Sequence, residues 1–216
     1  MKRETVDLPE LRAELMTEGL DAADLKPDPL VQLEEWLAFA ADMGVYNANA
    51  MALATADIEG APSVRNVLYR GLVDGGVVFH TNRESQKGVE LISNPRAEAM
   101  FSWLALERQV RLRGEVETAP DEVSDAYWDS RPRGSQVAAL ASDQSRPVPD
   151  REWLERRAAA LDAAHERRDI PRPDHWGGFV LRPERVEFWQ GREHRLHDRL
   201  VYIRRAGQWE IVRLAP

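Results

Sequence analysis

Three short apolar runs separated by two glycine-bearing turns constrain this chain more than any other feature. Ala50 to Ala56, Ser63 to Leu72 and Val77 to Thr81 are rich in strand-forming residues, with Asp57-Ile58-Glu59-Gly60 and Asp74-Gly75-Gly76 between them. Turn residues at that spacing predict strand, turn, strand, turn, strand, an antiparallel meander. A helix capped by Ser85 and stopped at Asn94-Pro95 follows, then strands over Ala97 to Trp103 and Gln109 to Thr118. A sheet of that size can curl into a barrel.

Helices flank this sheet. Asp28 caps and Pro29 opens a helix whose Leu30, Leu33, Leu37 and Ala40 recur at three- and four-residue steps. Thr118-Ala119-Pro120-Asp121 predicts a helix over Asp121 to Ser130, and Asp150 to Arg168 reads as a longer, solvated amphipathic helix. From Phe179 the chain predicts hairpins again, with a turn at Ala206-Gly207. Residues 1–28 are charged and weakly periodic, which predicts a flexible N-terminal arm with one short helix near Leu11 to Leu20. Residues 29–216 are expected to form a single domain, because a chain of 216 residues with 43% hydrophobic content can bury one sizeable core.

Composition removes several function classes. Without cysteine there are no disulfides, thiolate nucleophiles or cysteine-held metal clusters, so any redox chemistry needs a borrowed cofactor. No apolar run approaches the roughly eighteen residues that cross a bilayer, and Met1-Lys2-Arg3-Glu4-Thr5 lacks a signal-peptide stretch. A soluble, cytoplasmic protein without membrane partners is expected. A net charge of −8 argues against nucleic-acid binding, which depends on many clustered cations. Clustered arginines therefore call for a smaller anion.

Three clusters of that kind stand out. In Arg195-Leu196-His197-Asp198-Arg199, an extended strand would place Arg195, His197 and Arg199 on one face. Three potential cations on one face suit an anionic or electron-rich ligand, and a solvated surface ladder equally well. In Ser130-Arg131-Pro132-Arg133-Gly134-Ser135, Gly-Ser can open a helix from Gln136 to Ser142, whose free amides with Arg131 alongside would make a phosphate site. An ordinary loop with exposed arginines reads the same way. Thr81-Asn82-Arg83-Glu84-Ser85-Gln86-Lys87 runs from a strand end into a helix whose first turn holds a hydroxyl and a lysine, which also suits a phosphate. Arg65 and Arg70 are an odd number of residues apart, so both reach one ligand only if the strand bends. His194 and His197 diverge on a strand and lack a third ligand, so no metal site is expected. There is no serine elbow, phosphate loop or dinucleotide fingerprint.

Taken together, Trp189-Gln190-Gly191, Arg195-Leu196-His197-Asp198-Arg199, Ser130-Arg131-Pro132-Arg133, Leu106-Glu107-Arg108-Gln109-Val110, Asp143-Gln144-Ser145, Trp176-Gly177-Gly178-Phe179 and Arg213-Leu214-Ala215-Pro216 resemble the pyridoxine 5′-phosphate oxidases. The resemblance runs from about Leu30 to the C-terminus. It implies an α+β, mainly β fold, an antiparallel, Greek-key-like split β-barrel with peripheral helices, forming a homodimer with flavin mononucleotide (FMN) in clefts between subunits. It further implies FMN binding by Arg65, Asn66, Val67, Leu68, Tyr69, Arg70, His80, Thr81, Gln86, Lys87, Gln109, Gln144, Ser145, Trp189 and Arg199. The substrate phosphate would fall to Tyr127, Arg131 and Ser135, with Arg70 nearby, while Arg195 and His197 would lie over the substrate ring as catalytic residues. The implied reaction is oxidation of pyridoxine or pyridoxamine 5′-phosphate by O2 to pyridoxal 5′-phosphate. Arg70, His80 and Gln86 depart from the family's usual lysine, aromatic residue and arginine. A sibling flavin oxidase of the phenazine type and a non-catalytic flavin- or pyridoxal-phosphate-binding protein are the alternatives.

Overall fold

The computed structural model describes residues 7–166 and 168–216. Nine strands form one antiparallel sheet: β1 Ala50–Ala56, β2 Pro62–Leu68, β3 Leu72–Val73, β4 Gly76–Asn82, β5 Arg96–Trp103, β6 Arg108–Thr118, β7 Trp176–Gln190, β8 Asp198–Arg205 and β9 Gln208–Arg213. Their order is β2-β1-β5-β6-β7-β4-β3, with β8 and β9 branching from β7. Just beyond β2, Arg70 N donates to Val78 O (2.8 Å) and Val78 N to Gly71 O (3.0 Å), so the two ends of that path meet and the sheet closes as a barrel.

The expected meander is therefore only half present. β1 and β2 form the hairpin, but the end of the expected second strand pairs only with the first three residues of β4, and Val77–Asn82 of β4 pair with the distant β7. Local turn chemistry fixes where strands end and says nothing about which distant strand becomes the neighbour. Between β6 and β7 the register shifts at Gly114, where a Cβ would lie 1.9 Å from Arg182 O. Gly114 sits opposite Pro183, which has no amide to offer the ladder.

Among the described residues six α-helices flank the barrel. α2 (Pro29–Asp42) starts as expected, with Asp28 accepting from Leu30 N at 2.8 Å, and buries Leu33, Trp36, Leu37 and Ala40. α3 (Gln86–Ser93) is capped by Ser85, and α4 (Asp121–Ser130) has its expected bounds. α5 (Arg133–Ala141) begins three residues before the expected Gln136, and α6 spans Arg151–Ala164. The main core lies on one face of the sheet, where α2 packs on it, through residues such as Leu33, Leu53, Phe101, Leu112 and Phe188, each fully buried. Truncating any of these leucines to alanine should cost about 2–5 kcal/mol.

The N-terminal segment holds helix α1 at Leu8–Glu18, earlier than expected because Asp7 caps it and Pro9 occupies its first turn. Leu15, Leu20 and Leu25 are buried in the main core. Leu20 N donates to Asp198 Oδ2 (3.0 Å), and Arg213 Nη2 donates to Leu20 O (3.0 Å). Residues 1–6 of the expected arm lie outside the described residues. No described helix is long and apolar enough to cross a membrane.

Candidate active site

A cavity of about 620 Å³ opens where β4, α4, α5 and α6 meet, and Leu68, Arg70, His80, Thr81, Tyr127, Arg131, Ser135 and Gln144 all line it. Three near-parallel rings form one wall. His80 lies 4.2 Å from Tyr127 and 5.4 Å from Trp176, centroid to centroid. Arg70 sits over Tyr127 at 5.0 Å and Arg131 over Trp176 at 4.6 Å. Among the described residues neither arginine has a carboxylate partner. Two guanidinium groups held against π faces without a counter-ion favour an anion in the cavity. Burial and the charges of Arg70, Arg131 and Arg172 push the His80 imidazole down to about 4, so it is neutral at physiological pH.

The neighbouring arginine has another task. Arg133 pairs with Asp162 (2.8 Å) and donates to the carbonyls of Asp162, His165 and Arg168, fastening α5 to the end of α6. The expected free amides are not free either, because Ser135 N and Gln136 N both donate to Pro132 O (2.8 and 3.2 Å). Helix α5 starts at Arg133 because Pro132 sets its entry, which leaves the Arg131 side chain as the cationic group of this segment at the cavity.

Beside the cavity lies a second cationic cluster. Lys87 Nζ donates to Gln144 Oε1 (2.9 Å), Thr81 Oγ1 (3.1 Å) and Ser85 Oγ (3.3 Å), all neutral. Burial and the nearby Arg65 push its ammonium down to about 8. Gln86 N donates to Ser145 Oγ (3.2 Å), which brings Gln86 and Ser145 to the same helix start. Two adjacent cations whose charge is only partly matched fit a flavin phosphate, whose arrival would relieve their repulsion. Asn66, Val67 and Tyr69 run along β2 and just past it: Asn66 is exposed, while Val67 and Tyr69 pack on the core.

A third group stands apart. Gln109 on β6 faces Trp189 on β7 in register, and Trp189 lies 4.7 Å from His197. Arg199 on β8 donates to the buried Glu187 (2.8 Å) and to Ala215 O (3.2 Å). The expected common face of Arg195, His197 and Arg199 is not present. β7 ends at Gln190, Glu193–Arg195 form a 3-10 turn, and β8 begins only at Asp198. His194 and Arg195 take left-handed φ values of 55° and 62°, which a strand does not allow. The loop is tied at its neck, where Arg192 N donates to His197 Nδ1 (3.1 Å). That bond makes Nδ1 the acceptor, so the neutral ring carries its proton on Nε2 as a free donor. Among the described residues no hydrogen bond or ring contact joins this group to the cavity.

No motif marks Trp176 as part of the cavity wall or Glu90 as the partner of Arg65. Trp176 was visible only as part of a motif, and Glu90 lay four residues after Gln86 on one helix face.

Residues 35–165 match the family described as pyridoxamine 5′-phosphate oxidase, and residues 176–216 match the pyridoxine 5′-phosphate oxidase C-terminal dimerisation region. The pyridoxine/pyridoxamine 5′-phosphate oxidase of Rubrobacter xylanophilus is 50% identical over 210 residues, covering 97% of both chains. That of Cupriavidus necator is 47% identical, covering 97% of this chain and 99% of its own. Among solved structures, PhzG from Burkholderia lata in complex with tetrahydrophenazine-1-carboxylic acid is similar, with TM-score 0.86, 33% identity and coverage of 91% and 98%. A pyridoxamine 5′-phosphate oxidase-related, FMN-binding protein from Nostoc punctiforme shares the fold at TM-score 0.72 and 18% identity, covering 89% of this chain and all of that one. With a family match over more than half its length and relatives near half identity over almost all of it, this chain belongs to the pyridoxamine 5′-phosphate oxidase family.

Proposed function

We propose that this chain is an FMN-dependent oxidase converting pyridoxine or pyridoxamine 5′-phosphate into pyridoxal 5′-phosphate, working as a homodimer. The observation that carries the substrate class is the pair of carboxylate-free arginines, Arg70 and Arg131, against the ring wall of one cavity. Arg131, Tyr127 and Ser135 hold the substrate phosphate there, with Arg70 on the facing side. Arg65, Thr81, Lys87, Gln144 and Ser145 hold the flavin phosphate. Bound FMN supplies the two-electron oxidation at the C4′ carbon and the delivery of those electrons to O2 as peroxide.

The chain's own residues supply position. Arg195 presents a planar donor to the substrate ring in the partner subunit's cavity, and His197 presents its Nε2 proton there from a ring anchored at Nδ1. The Gln109, Trp189, Arg199 group completes the flavin cleft of the partner subunit, which accounts for its distance from the cavity of its own chain. Exposed apolar side chains support such an interface, with Leu104 81%, Leu196 71% and Val64 68% exposed in the single chain.

The test is turnover. Protein saturated with FMN should release peroxide and aldehyde with each phosphorylated vitamer, and far less with unphosphorylated pyridoxine. Likeness to PhzG makes a phenazine-type substrate the second reading. Turnover of tetrahydrophenazine-1-carboxylic acid with none of either vitamer would decide for it. Arg195→Leu should keep FMN while kcat/KM falls at least about a hundredfold, the cost of lost alignment.

A further inference from the structure

Glu90 plays no part in the steps above, yet it is the most heavily bonded carboxylate near the flavin grip. It lies on α3 and is only 6% exposed. Ser63 Oγ donates to its two oxygens at 2.8 and 2.7 Å, Gln86 Nε2 donates at 2.9 Å, and Thr55 Oγ1 donates as well. Arg65 Nη2 pairs with it at 3.3 Å. Arg65 is in turn spread over the same partners, with Nη2 on Ser63 Oγ (2.5 Å) and Nη1 on Thr55 Oγ1 (2.5 Å) and Leu53 O (3.2 Å). Burial alone would raise the Glu90 carboxyl, but the hydrogen bonds from Thr55, Ser63 and Gln86 and the charge of Arg65 outweigh it and hold it below the usual range. Two cations and one anion are thus fixed beside the first turn of α3.

We propose that Glu90 is a positioning residue for the flavin phosphate: with Ser63 and Thr55 it fixes Arg65 beside Lys87, and its charge offsets one of those two cations. The inference rests on reading Arg65 and Lys87 as the phosphate end of the cofactor site. In the absence of cofactor, Glu90 offsets the repulsion between the half-buried Arg65 and the buried Lys87. Once a phosphate is bound, the same carboxylate weakens its hold, so the site trades selectivity for stability of the empty fold.

Binding of FMN and of riboflavin, which lacks the phosphate, separates the two effects. Full-length protein stripped of flavin is titrated with each while flavin fluorescence is followed. Glu90→Gln keeps the shape and removes the charge. It should tighten FMN about three- to tenfold, leave riboflavin within about twofold and lower the melting temperature of the empty protein. General damage cannot raise the preference for FMN over riboflavin, so an unchanged or reduced preference overturns the charge role. Ser63→Ala leaves Glu90 ionised and removes the hydroxyl it shares with Arg65. That variant should lower the preference for FMN, and an unchanged preference overturns the positioning role even if Glu90→Gln cannot be isolated. Lys87→Met, measured alongside, should abolish most of the preference. If it does not, the placement of the phosphate end has failed, and that failure is distinct from the failure of Glu90.

Discussion

Arg131 and Arg133 stand two residues apart and do different work. Arg131 stacks on Trp176 and Trp128 and faces the cavity, while Arg133 ties α5 to α6. A charged hydrogen bond to substrate phosphate is worth about 1.5–3 kcal/mol, roughly ten- to 150-fold in affinity. Arg131→Ala should raise KM for the phosphorylated vitamers by that factor and leave FMN affinity unchanged; equal weakening of both would refute the assignment. Lys87 makes a prediction in pH. Its ammonium, ordinarily near 10.5, is pushed down to about 8 in the folded protein. As pH rises through 8, the empty protein loses the cation proposed to hold the flavin phosphate, so FMN affinity should fall between pH 7 and 9.5. Riboflavin affinity should stay level over that range. The same depressed value means that the unfolded chain holds more protons between pH 8 and 10.5, so Lys87 makes the empty fold gain stability there.

Helix α3 shows how an element places a site. Ser85 Oγ accepts from Gly88 N (3.4 Å), and Gly88 lets the helix lie against the end of β4, since a Cβ there would sit 2.2 Å from Arg83 O. Gly88→Ala should cost about 1–3 kcal/mol through backbone displacement, read as a lower melting temperature together with weaker FMN binding. Gly134→Ala in α5 is the contrast, because nothing lies within 4 Å of its Cβ position. It should stabilise by about 0.5–1 kcal/mol. Elements of this kind were legible in the sequence where local chemistry decides them: β1 and α4 have their expected bounds because turn residues and caps bracket them. The loop after β7 was not legible. Alternation suggested a strand through Arg195, but Gly191 N is held by Glu107 O at 2.7 Å from a distant segment, and left-handed His194 and Arg195 carry no local signature. Arg131 is legible in its own Ser130-Arg131-Pro132-Arg133-Gly134-Ser135 cluster and Tyr127 only through the resemblance, whereas the employment of Arg133 on α6 needs the tertiary contact.

At the scale of the molecule, the proposed completion of each flavin cleft by the partner's Trp189 group would make cofactor binding and association one equilibrium. If FMN binds only the dimer, FMN at roughly one hundred times its Kd should strengthen association about a hundredfold per site. Sedimentation of diluted protein with and without FMN measures this, and a monomer that binds FMN as tightly as the dimer would sink the shared cleft. Strand β7 has a different consequence, one that falls on synthesis. It pairs with β4, β6 and β8, and Val77 of β4 meets Leu181. At about 5–20 residues per second, Val77 waits roughly five to twenty seconds on the ribosome for its partner. Throughout that interval the Val78-Phe79 stretch, fully buried at the end, has an unpaired edge. A chain ending at residue 175 should therefore be cut within β4 by a protease dose that leaves the full chain intact, and the yield of this protein in cells should respond to the supply of chaperones that shield nascent strands.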